Sequence, residues 1–517
     1  MNAEGPETVA VRETARALVR AGFGRLRGER LIPRPRHAHW IRVGHDYEGD
    51  LLLGAPEFAA FEAALAAAYP LRFAASAPIG KRDFAQRFAF PLLEGAVALI
   101  AQFEEEYDAS GREVSTCIDE MLLLLEADSE EAVAARVVAN VVLPNRTTVR
   151  VGDVEFLSAG PWGVRGAAAA ANRILPGAGR EMDEALRPSF PFALNVSLLV
   201  SRRASAKDSE LEAFTPRYYM AERWASAQLQ ASLLTLRMAT GCTARNIVEV
   251  TAPPGWVRLS GLRVRRFDIP SFPFVERVAK IGPDLATPLV ELNKRLVAWS
   301  SEEGRGRSLS LGIAIERFNR SFEEVPWFDQ LVDLGVGLEA ALLDGSEKEE
   351  ISLRLRSRAA SLLATPGDSA QVIYQDVKVL YGLRSAIVHG SSLTSADIHK
   401  EFAKVSVTAR DPAPGVQAEL CLDRMRDILR RAILARGLLA DLGLWPLKGD
   451  RVDVDGRWLD DAERDRWRRS WAEALEAIGL PDAAHEAVAP SLDMGVEQQA
   501  LSSHEPASFV DLDPREA

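Results

Sequence analysis

Apolar positions recur at helical spacing along most of the chain. From about Val9 to Val137, Glu57 to Tyr69 is rich in Ala, Leu and Phe, and Phe90 to Glu106 carries its apolar residues three and four apart. The pattern predicts a helical N-terminal region over residues 1–137. Near Ala139 it changes. Val141 to Val151 is β-branched and broken by Pro144-Asn145, and Val154 to Leu157 and Phe192 to Val200 follow as further strands. Glu210 to Met238 returns to a helical period and stops at Gly241, after which Trp256 to Phe267 alternates Val257, Leu259, Leu262 and Val264 with polar or basic neighbours. Residues 138–305 are thus expected to form a smaller α+β middle domain, closed by the polar, glycine-bearing stretch Ser300 to Ser308 as a linker.

Beyond that break the pattern predicts a helical bundle over residues 306–442. Helices are expected at Leu311 to Phe322, Val325 to Leu343, Glu347 to Ala364, Ala370 to Val388 and Gln417 to Leu442, separated by turn sequences such as Asp344-Gly345 and Thr365-Pro366-Gly367-Asp368. In the fourth, Val372, Ile373, Val377, Leu380, Leu383, Ile387 and Val388 would face the bundle core. Residues 443–489 read as an extension: a loop or short hairpin around Val452 to Asp455, then a charged amphipathic helix, Asp460 to Ile478, whose Trp467 and Trp471 form a docking stripe. Residues 490–517 are acidic, with few large apolar side chains, and are expected to be disordered. The fold class is mixed and predominantly α.

Composition narrows the function classes. At 517 residues, with 47% hydrophobic and 26% charged side chains, the chain has the make-up of a folded protein with more than one core. Its net charge of -12 gives no overall cationic field, so any nucleic-acid contact must be local. Three distant cysteines suggest neither a disulfide framework nor a cysteine-rich zinc site, and the acidic start Met1 to Glu7 is unlike an export signal, so the cytoplasm is the expected compartment. No stretch is apolar for long enough to span a bilayer, and no internal repeat is visible.

Candidate chemistry is sparse. His37, His39 and His45 lie close together, but two prolines and the lack of a matching Cys or carboxylate spacing argue against a metal. Arg202, Arg203 and Lys207, and Arg258, Arg263, Arg265 and Arg266, form two basic clusters. They suit either an RNA groove or the guarding of exposed strand edges, the commoner use. There is no glycine-rich phosphate loop, no G-x-S-x-G and no H-E-x-x-H, so neither a cofactor nor a metal is expected.

One segment stands out: Tyr381-Gly382-Leu383-Arg384-Ser385-Ala386-Ile387-Val388-His389-Gly390, with Asp333 to Leu343 one helix pair earlier. It resembles the R-x4-6-H signature of HEPN domains, here R-x4-H with Ser385 as the polar neighbour, and the wider context is similar to the Apea-like branch found in bacterial defence and toxin-like proteins. The resemblance covers residues 311–440. It implies a metal-independent endoribonuclease, with Arg384, His389 and Ser385 as catalytic residues and RNA as substrate, and the N-terminal and middle regions are expected to regulate it by sensing a trigger or holding the site inactive. It also implies a homodimer in which two copies of the motif line one cleft. Some HEPN domains are instead non-catalytic dimerisation or nucleotide-binding modules.

The residue types suit that chemistry. Histidine titrates near neutrality and serves as acid or base, while arginine stays charged and forks onto phosphate oxygens. Five residues along a helix turn through about 500°, which leaves Arg384 and His389 about 140° apart. Two arrangements relieve this, a left-handed cap at Gly390 that frees His389 at the helix end and a groove between two bundles, and the resemblance implies the second. Tyr381, Asp333 and Glu339 are the expected supporting residues, the two acids either orienting Arg384 or His389 or forming plain salt bridges within the bundle. A basic residue and a His before Gly390 would also serve as an ordinary helix C-terminus.

Overall fold

The computed structural model describes residues 5–28, 54–70, 85, 88–89, 92–93, 96, 111–126, 129–144, 147–159, 163–174, 196–206, 217–252, 263–267, 277–300, 302–323, 326–343, 350–408, 414–445 and 454–486. At the N-terminal end, α1 (Pro6–Gly28), α2 (Pro56–Ala68) and α3 (Arg112–Glu126) bury Leu18, Phe58, Phe61, Leu65 and Met121 in a core of their own. Helix there was expected as far as Val137. The structure instead has a strand, β1 (Ser129–Ala139), near the middle of a sheet. Its alanines and acids suggest helix, yet every residue from Val133 to Ala139 is buried on one face or the other, so the alternation that marks a half-exposed strand is missing.

The sheet is antiparallel, in the order β3 (Thr148–Val151), β4 (Val154–Ser158), β5 (Val196–Ala206), β1, β6 (Arg245–Ala252), β7 (Arg263–Arg266). A separate parallel pair joins β2 (Val141–Val142) to β8 (Ala279–Lys280). Helix α4 (Gly163–Ile174) lays Ala167, Ala170 and Ala171 on one face of the sheet, against Val137, Leu198 and Val250. Helix α5 (Arg217–Thr240) covers the other with Ala225, Leu229, Leu233 and Leu236, and it ends at Gly241, whose φ of 65° only glycine adopts without strain.

The C-terminal part contains α6 (Ala286–Ser300), α7 (Glu302–Arg320), α8 (Trp327–Leu342), α9 (Ile351–Leu363), α10 (Ala370–Val388), α11 (Ser395–Phe402) and α12 (Pro414–Asp441). The polar stretch expected as a linker is helical from Glu302, because Leu311, Ala314, Ile315 and Phe318 anchor the rest of α7 in the core and two glycines cost it only about 1 kcal/mol each. The apolar core is continuous from the α5 face of the sheet through α6 and α7 to α12, so no boundary in packing falls at residue 305. In α10, Ile373, Val377, Leu380 and Leu383 are buried as expected, but Val372 and Val388, at the two ends, are exposed.

In the extension, residues 446–453 of the expected loop or hairpin lie outside the described residues, its last part is a short helix, α13 (Val454–Leu459), and the expected amphipathic helix is α14 (Asp461–Ala477), with Asp460 accepting the N–H groups of Ala462 and Glu463 as its cap. Trp445, Trp458 and Trp467 pack with ring centroids 5.8–5.9 Å apart, and Trp471 is buried beside the same core. Residues 490–517 lie outside the described residues.

Candidate active site on α10

Helix α10 is fixed at its start by Ser369, whose hydroxyl accepts the Val372 N–H, and in its second turn by the buried Asp376. Asp376 accepts from Arg424 Nε at 2.8 Å and from both the backbone and the hydroxyl of Ser406. The helix ends at His389. The Gly390 N–H donates to the Ile387 carbonyl (3.1 Å) and the Ser391 N–H to that of Ala386 (2.9 Å), with Gly390 at φ 67°. These two bonds make a Schellman end, the closure that the His389-Gly390 pair predicts.

Between these anchors Arg384 turns towards α8. A Cβ at position 335 would lie 3.0 Å from Arg384 Cγ, so Gly335 is what lets the aliphatic stem cross α8 closely. The guanidinium reaches Glu339, Nη2 to Oε1 at 3.3 Å, and sits over the Tyr381 ring at 5.4 Å. Tyr381 donates its hydroxyl to the same Glu339 oxygen at 2.6 Å, and burial together with that carboxylate holds its phenol well above the ordinary range. Arg384 Nε is buried with no hydrogen-bond partner.

His389 is exposed at the helix end, about 7.5 Å further along the axis than Arg384 at 1.5 Å per residue. Ser385 contributes its carbonyl, which accepts the His389 N–H at 3.0 Å. Of the expected supporting residues, Glu339 and Tyr381 gather around Arg384. Asp333 does not: it is buried and pairs with Arg317 (2.5 Å) and Arg320 (3.2 Å) of α7, the plain salt-bridge alternative. Within one chain the structure thus groups Arg384, Glu339 and Tyr381 where α8 and α10 pack and presents His389 at the end of α10.

The other sequence candidates fall elsewhere. His37, His39, His45, Lys207 and Arg258 lie outside the described residues, as do the side chains of Arg202, Arg203 and Arg263. Arg265 and Arg266 are exposed on the edge strand β7. Among the described residues no cluster of three or more His, Cys, Asp and Glu side chains forms a metal site, and no helix is long and apolar enough to cross a membrane. An open pocket lined by Thr365, Ser369, Arg464 and Arg468 sits at the opposite end of α10 from His389.

Sequence reasoning missed a buried ionic network on α12. Arg424 forks onto Asp368 (2.8 and 2.9 Å), Arg431 joins Asp368 (2.6 Å) to Asp427 (3.1 Å), and Arg430 also meets Asp427 at 2.9 Å. The three- and four-residue spacing of Asp427, Arg430 and Arg431 was a visible signal, but such pairs are usually solvated. With the site's geometry in hand, comparison gives no relative: no family model, no curated protein and no solved structure matches the chain.

Proposed function

We propose that the chain is a metal-independent endoribonuclease of HEPN type, acting in the cytoplasm as a bacterial defence or toxin-like effector. One observation carries this reading: an arginine braced by a carboxylate and an aromatic ring lies about one and a half turns before an exposed histidine at a glycine-closed helix end. In the reaction the RNA 2′-oxygen attacks the adjacent phosphorus and loses its proton to a base. The bond to the 5′-oxygen breaks, and an acid protonates that leaving group, giving a 2′,3′-cyclic phosphate and a free 5′-hydroxyl. Neutral His389 of one chain is the base and protonated His389 of a second is the acid. Arg384 stabilises the charge on the phosphorane, and the phosphate competes with Glu339 for it.

The assignment of acid and base to two chains rests on the resemblance to HEPN domains, which pair so that two copies of the motif line one cleft. Exposed Val388 beside His389, and Phe328 at the start of α8, supply apolar surface for a homodimer. The test uses the purified full chain with RNA in EDTA. Cleavage leaving cyclic phosphate ends is expected, and Arg384→Ala or His389→Ala should each abolish it. Cleavage that survives both substitutions sinks the reading.

A second reading, a non-catalytic dimerisation or nucleotide-binding module, is favoured by the pairing of Arg384 with Glu339 and by the net charge of -12. It gains if both variants keep biological activity while Val388→Asp loses dimer and activity together.

A further inference from the structure

At the end of α10 opposite His389, the last turn of α9, the turn leading into α10 and one face of α14 bound an open cavity of about 590 Å³. Small-molecule sites usually measure about 300–1,000 Å³. Arg464 and Arg468, four apart on α14 and so on one face of it, supply positive charge. Ser361, Thr365 and Ser369 supply hydroxyls, and Ala364, Pro366 and Ala370 an apolar wall. Among the described residues no carboxylate lines the cavity.

Each guanidinium is anchored through some of its donors and keeps others. Arg468 Nε and Nη2 donate to the carbonyls of Ser361 (2.5 Å) and Ala360 (3.2 Å) in the last turn of α9, which fixes its plane. Its Nη1 makes no hydrogen bond among the described residues and stands 3.6 Å from Asp465 Oδ1. Arg464 donates through Nη1 to the Trp458 carbonyl at 3.3 Å and through Nη2 to Asp461, and its Nε makes no hydrogen bond among the described residues. Both acids are exposed, Asp461 at 83% and Asp465 at 53%, so water screens them. Burial lowers the pKa of Arg468, Arg464 lowers it further, and Asp465 offsets only part of this. Glu486 accepts from the Thr365 hydroxyl at 2.6 Å and does not line the cavity.

We propose that this cavity binds a small organic phosphate ester, its phosphate held between Arg464 and Arg468 on one side and the start of α10 on the other, and its organic part against Ala364, Pro366 and Ala370. A phosphate monoester has three terminal oxygens pointing in three directions. It can therefore take guanidinium donors from α14 and N–H donors from α10 together, which a flat carboxylate cannot. The first N–H groups of a helix have no acceptor within it, and the Ser369 side chain satisfies only that of Val372. The Ser369 oxygen accepts there, so its proton can be donated to a ligand. The paired cations in a cavity carry the assignment, and the helix end adds to it. The space exceeds what a bare phosphate needs, and the apolar wall gives the organic part something to cover.

The site is separate from Arg384 and His389 and does not rest on the ribonuclease reading. Its wall is held in place by the protein itself. Asp368, in the turn between α9 and α10, accepts from Arg424 (2.8 and 2.9 Å) and Arg431 (2.6 Å) of α12, and its N–H donates to Thr365 Oγ1 at 3.0 Å. A ligand therefore meets a formed surface and does not have to order it, which keeps the entropic cost of binding low. A bound phosphate would also tie α14 to the start of α10 and so favour the folded chain.

The test titrates the full chain at fixed ionic strength with ribose 5-phosphate and with adenosine 5′-monophosphate, using adenosine as the uncharged control. At least one ester should bind with a Kd below about 1 mM, and adenosine should not. Arg464→Gln should weaken binding at least about tenfold, the worth of one charge-assisted contact. Because Arg464 also holds the Trp458 carbonyl, a second variant guards against a folding defect. Ala370→Glu sets a carboxylate at the exposed first position of α10, where negative charge favours the helix. It should unfold at the wild-type temperature or above and still bind the ester at least about tenfold more weakly, because its charge repels the phosphate. Failure of both esters to bind the wild type overturns the assignment. So does undiminished binding in Ala370→Glu, or adenosine binding as tightly as its monophosphate.

Discussion

Arg384 is restrained by three side-chain features of different kinds: a missing Cβ at Gly335, the carboxylate of Glu339 and the ring of Tyr381. Removing the Tyr381 hydroxyl should loosen that arrangement. Tyr381→Phe is expected to cost about 1 kcal/mol in urea unfolding, the usual net worth of a half-buried hydrogen bond, while leaving the fold intact. A second residue-scale prediction concerns pH. Asp423 is buried, and desolvation raises it to about 6 despite Arg277 beside it. Its folded pKa lies above its unfolded value, so the protonated form favours the fold. That contribution is complete below about pH 4 and is lost as pH rises to about 6. Unfolding free energies of the wild type and Asp423→Asn should therefore diverge against the wild type across that window and run parallel above it. A difference that stays constant from about pH 4 to about pH 7 would contradict this.

Single elements show how glycine sets packing and how far sequence pattern reaches. Gly437 on α12 faces Trp299 of α6, where a Cβ would come within 2.6 Å of the indole ring, and the indole N–H is held by Asp441. Gly437→Ala gains about 1 kcal/mol of helix propensity but must displace that ring, so a net loss of ~1–2 kcal/mol is expected in chemical denaturation. Helices with one apolar stripe and a plain stop were legible: α10 runs from Ala370 to Val388 as expected and stops at His389-Gly390, and the turn at Gly241 closes α5. Elements whose both faces are buried were not. β1 has no alternation to read, and α12 hides Arg424, Arg426, Arg430 and Arg431 in the core, where a pattern of charged residues suggests water. At the candidate site, the placement of Arg384 near the end of α10 and of His389 at its close was legible in the sequence. The roles of Glu339 and Asp333 were not, because which neighbour each acid faces depends on the rotation of α8 about its axis. Gly335 was not legible either, since a glycine inside a helix shows its purpose only when the crossing side chain is known.

At the scale of the whole molecule, the continuous core decides what can fold alone. Leu292, Leu296 and Trp299 of α6 lie in one cluster with Leu311 and Phe318 of α7, Leu434 and Leu438 of α12, and Trp467 and Trp471 of α14. A fragment limited to residues 306–442 would leave α12 without α6 along one side and without α14 along the other, and would begin inside α7. It would also strip Arg430 of the carbonyls of Met238, Ala483 and His485, and Arg358 of the Asp455 carboxylate, so that two buried guanidiniums lose part of their acceptors. Losing one partner of a buried charge typically costs 3–5 kcal/mol, which is comparable with the stability of a whole small domain at about 5–15 kcal/mol. The fragment 306–442 should therefore be molten or insoluble, whereas a fragment beginning at residue 129 and ending at 486 should give one sharp unfolding transition. Calorimetry of the two decides it. A cooperative transition from 306–442 alone would show that the bundle is a separable domain, and that the sheet and the tryptophan-lined extension are docked on it rather than folded with it.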